Sequence, residues 1–274
     1  MKEKMNSEQV KEKLESVHKS PVDYTVIFSG KKSLKANGLY RPGSREIIIH
    51  NKNFANEDGG LNENRLMFTA IHELAHHVMR AEKGDRSRRA HGQDFWAAFH
   101  GLLDAAEERG VYRAEIDADT QKLIDEVRDI SVRIAGLQRE LGRVICAINE
   151  SCKKNGLREE DIIERKAQIS RQTAKAAVAA LCLGDTGLGA DMQAEAARQR
   201  TEAGREAVTE AAQNGASVIQ AKKAARPESR MEPEDEAAKL ELEKRRVERT
   251  IESLERKLEE IRKELGELNS GGKT

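Results

Sequence analysis

The sequence predicts an α+β fold for residues 1–112, with helices packed on a small sheet, followed by a long all-α region. Three observations carry this. All nine aromatic residues lie between Tyr24 and Tyr112, so only the first part has large rings for a core. Short β-branched runs at 24–28, 38–41 and 46–50 precede two helical stretches there. From Ile116 onward, apolar residues recur in alternating steps of four and three within an Ala-, Glu-, Lys-, Arg- and Leu-rich sequence, the habit of long helices and coiled coils.

The first helix should carry Val10, Leu14 and Val17 on one face, with Asn6 as its cap and Gln9 three residues on. Pro21 ends it. Residues 24–28 read as a strand, 29–32 as a turn, and 38–41 and 46–50 as two strands joined by the turn at 42–44. After a glycine loop, a helix is expected over 62–80, buried along Leu66, Ala70, Ile71, Leu74 and Val78. A polar, basic loop follows at 82–90. The next helix starts near Gly92, turns Phe95, Phe99, Leu102 and Leu103 inward, and stops at Gly110.

The all-α region divides into four stretches. A first heptad seam at 113–152 runs Ile116, Thr120, Leu123, Val127, Ile130, Ile134, Leu137, Leu141, Val144 and Ile148. Residues 153–183 read as short helices, 184–234 as an Ala-rich linker, either weakly helical or mobile, and 235–269 as a second coiled coil. The two heptad runs suit either an antiparallel hairpin with each other or a homodimer, and the pattern leaves both open.

Composition narrows the function. Lys+Arg and Asp+Glu both number 48, so bulk charge does not draw the chain to nucleic acid. Cys146, Cys152 and Cys182 have neither metal-ribbon nor disulfide-framework spacing and fit a reducing compartment. Residues 1–20 lack the apolar centre of a signal peptide, and no apolar run approaches the ~18 residues of a membrane span. A cytoplasmic location and no membrane partner are expected.

The chemistry concentrates in His72-Glu73-Leu74-Ala75-His76 and in His91-Gly92-Gln93-Asp94-Phe95-Trp96. Residues four apart share a helix face, so His72 and His76 stand side by side to bind one metal ion. Glu73 sits one step round the helix, in reach of a water on that metal, the HExxH arrangement of zinc hydrolases. His91 offers a third ligand and leaves the fourth position open, as a catalytic zinc site requires.

These residues resemble the SprT-like and WLM group of zinc metallopeptidases. The resemblance spans about residues 21–110: the strands Gly38-Leu39-Tyr40 and Ile47-Ile48-Ile49, the helix from Met67 to His76, and His91-Gly92-Gln93-Asp94-Phe95, which matches the group's HGxxF signature. It implies a zincin-like metallopeptidase domain at 1–112. Zn2+ would be held by His72, His76 and His91, Glu73 would be the catalytic base, and a protein or peptide would be the substrate. Heptads follow this part in place of the CxxC zinc ribbon that many SprT proteins carry.

Several signals stay open. Glu115-Ile116-Asp117-Ala118-Asp119 matches the ExxAD pattern by which ImmA/IrrE-like peptidases supply a glutamate, so Glu115 rivals His91 as third ligand; it also reads as a first-turn charge favoured by the helix dipole. His77 and His100 read as surface or packing residues, His77 adjoining the site. Two places offer cations to DNA: Arg86, Arg88 and Arg89 in the basic loop, and Arg171 with Gln172 in a helix-turn-helix-like stretch at 161–174, where Gln168 replaces the usual turn glycine. The plainer alternatives are a solvated loop and a helical hairpin. The competing function is therefore a DNA- or partner-binding regulator whose helical half carries the main role.

Overall fold

The computed structural model describes residues 5–56, 60–84 and 90–226, and within 240–262 the positions 240–241, 244–245, 247–252, 254–259 and 262. It has two compact units, residues 1–226 and 227–274. The first is α+β, mostly helical with a small sheet. The seam expected near Tyr112 falls inside this unit.

Helix α1 (Ser7–Val17) begins at Asn6, whose side chain accepts from the Gln9 amide while the Gln9 side chain accepts from the Asn6 amide. Val10, Leu14 and Val17 are buried, as their spacing requires. Strands β1 (Thr25–Phe28), β2 (Gly38–Arg41) and β3 (Glu46–Ile49) form a sheet in the order β1-β3-β2. β1 runs parallel to β3 and β2 antiparallel to it, so β2 is an edge strand. Ile47 and Ile49 are fully buried, packed with α1 and with helix α2 (Glu63–His77) in one core.

Asn62 caps α2 by accepting from the Arg65 amide, and the expected stripe of Leu66, Ala70, Ile71 and Leu74 is completely buried. The regular α-helix stops at His77 and widens into a π-type turn, Val78–Glu82. Such turns frequently accompany functional sites. Helix α3 (Gln93–Glu108) closes the core with Phe95, Phe99, Leu102 and Ala106.

Helix α4 (Ala118–Asn155) is continuous and ends on Gly156 in the left-handed conformation. Its buried residues are Ala135, Gly142, Ile145 and Cys152, a smaller-residue face beside the expected seam. Helix α5 (Arg171–Leu183) packs there, with Ala174 and Ala177 against Ile145 and Ile163. Of the seam, Leu141 and Ile148 join this cluster, whereas Leu123, Val127 and Leu137 are more than 60% exposed.

The linker reading of 184–234 gives way, as far as residue 226, to its helical alternative. That stretch folds into α6 (Ala190–Arg198), α7 (Glu202–Gln213) and α8 (Val218–Ala224), which share a core of Ala196, Val208, Ala221 and Ala225. Alanine has the highest helix propensity and lets helices approach closely, so low hydrophobicity here does not mean an unstructured chain. Helix α8 is braced on α3: Ser217 meets His100 Nδ1 at 2.8 Å, Gln220 donates to Asp104 at 2.6 Å, and Arg226 pairs with Asp94 at 3.1 Å.

In the second unit the described residues are helical, with Leu240, Val247, Ile251, Leu254 and Leu258 exposed. Ile261, Leu265 and Leu268 of the second heptad run lie outside the described residues, as do 227–234 of the expected linker. Among the described residues no helix is long and apolar enough to cross a membrane.

Candidate metal centre

Helix α2 sets the first two ligands. Its regular turn sets the His72 and His76 rings edge to face, with centroids 5.0 Å apart. The turn leading into α3 brings His91 over both rings. His91 Nε2 lies 3.1 Å from His72 Nε2 and 3.1 Å from His76 Nε2. Among the described residues these three form the group able to hold a metal ion. Two bonds of ~2.0–2.1 Å at the tetrahedral angle place neighbouring ligand nitrogens roughly 3.3 Å apart. The two separations from His91 come close to this, and all three ligand atoms lie within 4.8 Å of one another, so the group could hold one metal ion.

Aromatic rings on α3 fix the imidazoles. Phe95 stands 4.4 Å from the His76 ring and 4.7 Å from His91, and Phe99 is 5.1 Å from His72. The phenylalanine of the His91-Gly92-Gln93-Asp94-Phe95 segment thus forms the back wall of the ligand set. Trp96, 5.8 Å from His91, extends that wall.

Glu73 lies one residue round the helix and only 6% exposed, beneath a cleft of about 540 Å³ lined by Gly38, Leu39, Phe68 and the three histidines. Burial pushes its carboxyl up to about 7, and the Tyr40 backbone N–H donates to it and partly offsets this. A β-carbon at Gly38 would stand 2.9 Å from Glu73 Cγ and Oε1, so the edge strand approaches the carboxylate only because residue 38 is glycine. Sequence reasoning missed these contributions of Gly38 and Tyr40. The only signal was a glycine opening a short strand.

His77 does not line the cleft. It is fully buried on the other side of α2, where its ring meets Val22 O and Ser20 Oγ through Nε2, at 3.0 and 2.9 Å, and Tyr40 OH through Nδ1 at 3.0 Å. A carbonyl only accepts, so Nε2–H donates to Val22 and Nδ1 of the neutral ring accepts from Tyr40. The residue pins α2 to β2 and to the chain before β1. His100 braces α8, as described above.

Glu115 accepts from the Asn64 side chain at 2.5 Å and lies outside the histidine group. Arg86, Arg88 and Arg89 lie outside the described residues. Ser170 caps α5, and Gln168 takes a left-handed backbone (φ 57°) in the turn before it, at the position where the helix-turn-helix comparison expects glycine. Gln172 is exposed, but Arg171 pairs with Glu164 at 2.7 Å, and Glu159 and Glu160 line the same groove. These carboxylates oppose phosphate binding on that face.

Burial also holds His72 and His76 down at about 4, helped by neighbouring histidines. In the metal-free protein both rings therefore fold neutral, while the unfolded chain takes up protons below about 6.5. Their contribution is complete above pH 6.5 and is lost as pH falls towards 4. The thermal midpoint of metal-free protein should drop between pH 7 and pH 5 by scanning calorimetry. The Glu73 carboxyl, raised to about 7, gains stability over the same interval and opposes the drop, so the profile is read in Glu73→Gln, where a flat line would show that the rings are not desolvated.

No family model matches the chain, and no significantly similar curated protein or solved structure is found.

Proposed function

We propose that this chain is a zinc-dependent metallopeptidase of SprT-like type. The observation that carries the reading is the convergence of three histidine nitrogens beside one buried carboxylate, under an open cleft. His72, His76 and His91 would hold the zinc ion, which would supply Lewis acidity towards water and the scissile carbonyl. The Glu73 carboxylate takes the proton of the attacking water and returns it to the leaving amine nitrogen.

The edge strand supports an extended peptide as substrate. Asn37 accepts from the His50 amide, so alternation turns the backbone groups of Gly38 and the Tyr40 carbonyl to the free edge, while the Tyr40 N–H is held by Glu73. An extended segment laid along β2 crosses the cleft beside Glu73. The free thiols of Cys146, Cys152 and Cys182 suit the cytoplasmic location proposed with this reading.

The test combines metal content with casein hydrolysis. Purified protein should hold one zinc per chain and cleave casein, lose cleavage with chelation, and regain it with added zinc. His91→Ala should lose zinc, whereas Glu115→Ala should keep it. Retained zinc in His91→Ala with loss in Glu115→Ala would transfer the third ligand to Glu115. Full zinc without cleavage would sink the peptidase reading and leave a binding role for the domain.

A further inference from the structure

Helix α4 has two apolar faces, and within the first unit the described residues cover one. Ala135, Gly142, Ile145 and Cys152 are buried. The adjacent seam of Leu123, Val127, Ile130, Ile134 and Leu137 is 43–66% exposed. In heptad terms Val127 and Ile134 take position a, and Leu123, Ile130 and Leu137 take position d. One flank of the seam is engaged by α6: Ser131 accepts from the Ala190 amide, and Gln193 donates to Gln138. The other flank carries Asp119, Glu126, Arg133 and Glu140.

Charge along the helix is uneven. Asp117, Asp119, Asp125, Glu126 and Asp129 make the first part acidic against Lys122 and Arg128, and Arg133 and Arg143 make the next part basic against Glu140, Arg139 being paired with Asp185 at 2.9 Å. A parallel copy would lay acid beside acid. An antiparallel copy lays the acidic part beside the basic part.

We propose that α4 pairs with α4 of a second copy as an antiparallel coiled coil centred between Arg128 and Asp129. This register opposes Val127 to the partner's Ile130 and Leu123 to the partner's Ile134. It also sets Glu126 beside the partner's Arg133, twice by symmetry. Like-charged Asp119 and Glu140 also meet twice, but at the solvent-screened ends of the seam. The seam fits a copy of itself because an isolated apolar stripe gains by burial and the charged flank selects the orientation. This pairing is independent of the peptidase reading.

The test is sedimentation velocity on the full chain. Wild type should run at twice the 30.6 kDa chain mass. Glu126→Arg and Arg133→Glu should each weaken the dimer about tenfold, since symmetry doubles every reversed pair. The double variant Glu126→Arg/Arg133→Glu should recover wild-type affinity, because the opposite charges meet again. Val127→Glu should give monomers with unchanged helix content by circular dichroism, which separates lost pairing from lost folding. A wild-type monomer at about 100 µM, far above the Kd of a stable dimer, would overturn the proposal. So would a double variant weaker than either single one, or a dimer indifferent to Val127→Glu but broken at Ile251, on the second heptad run.

Discussion

Replacing Glu73 by glutamine is expected to leave one zinc per chain and to lower the turnover of casein by a factor of ~10²–10⁴, the usual worth of a positioned acid–base group. Glutamine has the same shape, and its amide oxygen still accepts from the Tyr40 N–H beneath the cleft. The ligand nitrogens belong to other residues, so the metal stays. What is lost is the atom that holds the water's proton between attack and departure of the amine.

A second readout separates this from a folding defect. The Glu73 carboxyl is raised to about 7 by burial against an ordinary 4.5. In metal-free protein its stabilising contribution is complete below 4.5 and lost as pH rises through 7. Glutamine removes that dependence, so above pH 7 the metal-free variant should melt no lower than wild type. Unchanged hydrolysis in the variant would remove Glu73 from the mechanism, and lost zinc would make its role structural.

Substituting Gly142 by alanine should cause the other large effect, on stability. A β-carbon there would stand 2.2 Å from the Ala177 carbonyl oxygen and 2.7 Å from its carbon. Both belong to the α5 backbone, which cannot turn aside as a side chain does. The two helices must separate, at a cost of ~1–3 kcal/mol or more for overpacking. A fall in thermal midpoint of roughly 2–12 °C follows for a unit of this size. Gly136 is the control within the same helix: a β-carbon there meets only Arg139 Nη2 at 3.9 Å. Gly136→Ala should be neutral or stabilising by up to ~1 kcal/mol, through helix propensity alone. Equal melting of the two variants would show that α4 and α5 are not in contact at Gly142.

Much of the metal centre was legible beforehand because its determinants are local. Two histidines four apart share a helix face in any helix, and a glutamate between them is carried one step round it. The third histidine, a short loop away at the mouth of the next helix, completes the set. The β-branched runs and the buried faces of α1 and α2 were legible for the same reason, since side-chain period follows directly from backbone geometry.

The parts misread or not read at all depend on what lies across the space between elements. The order β1-β3-β2, which makes β2 the edge beside Glu73, depends on a crossover that no local pattern encodes. Alanine and glycine carry little hydrophobic signal, so 184–226 resembled a linker although its small side chains let helices α6, α7 and α8 pack. The heptads of α4 were visible, but burial fell on the neighbouring face, where Gly142 admits the α5 backbone.

By itself, then, the sequence determined the residues of the candidate centre, the helix that carries two of its ligands, and the periodicity of the long helices. Only the tertiary structure decided how close the three nitrogens come, how deeply Glu73 is buried, and which face of α4 is covered. The physical reason is that periodicity is a property of one segment, whereas distance, desolvation and close packing belong to pairs of segments that meet only when the chain folds.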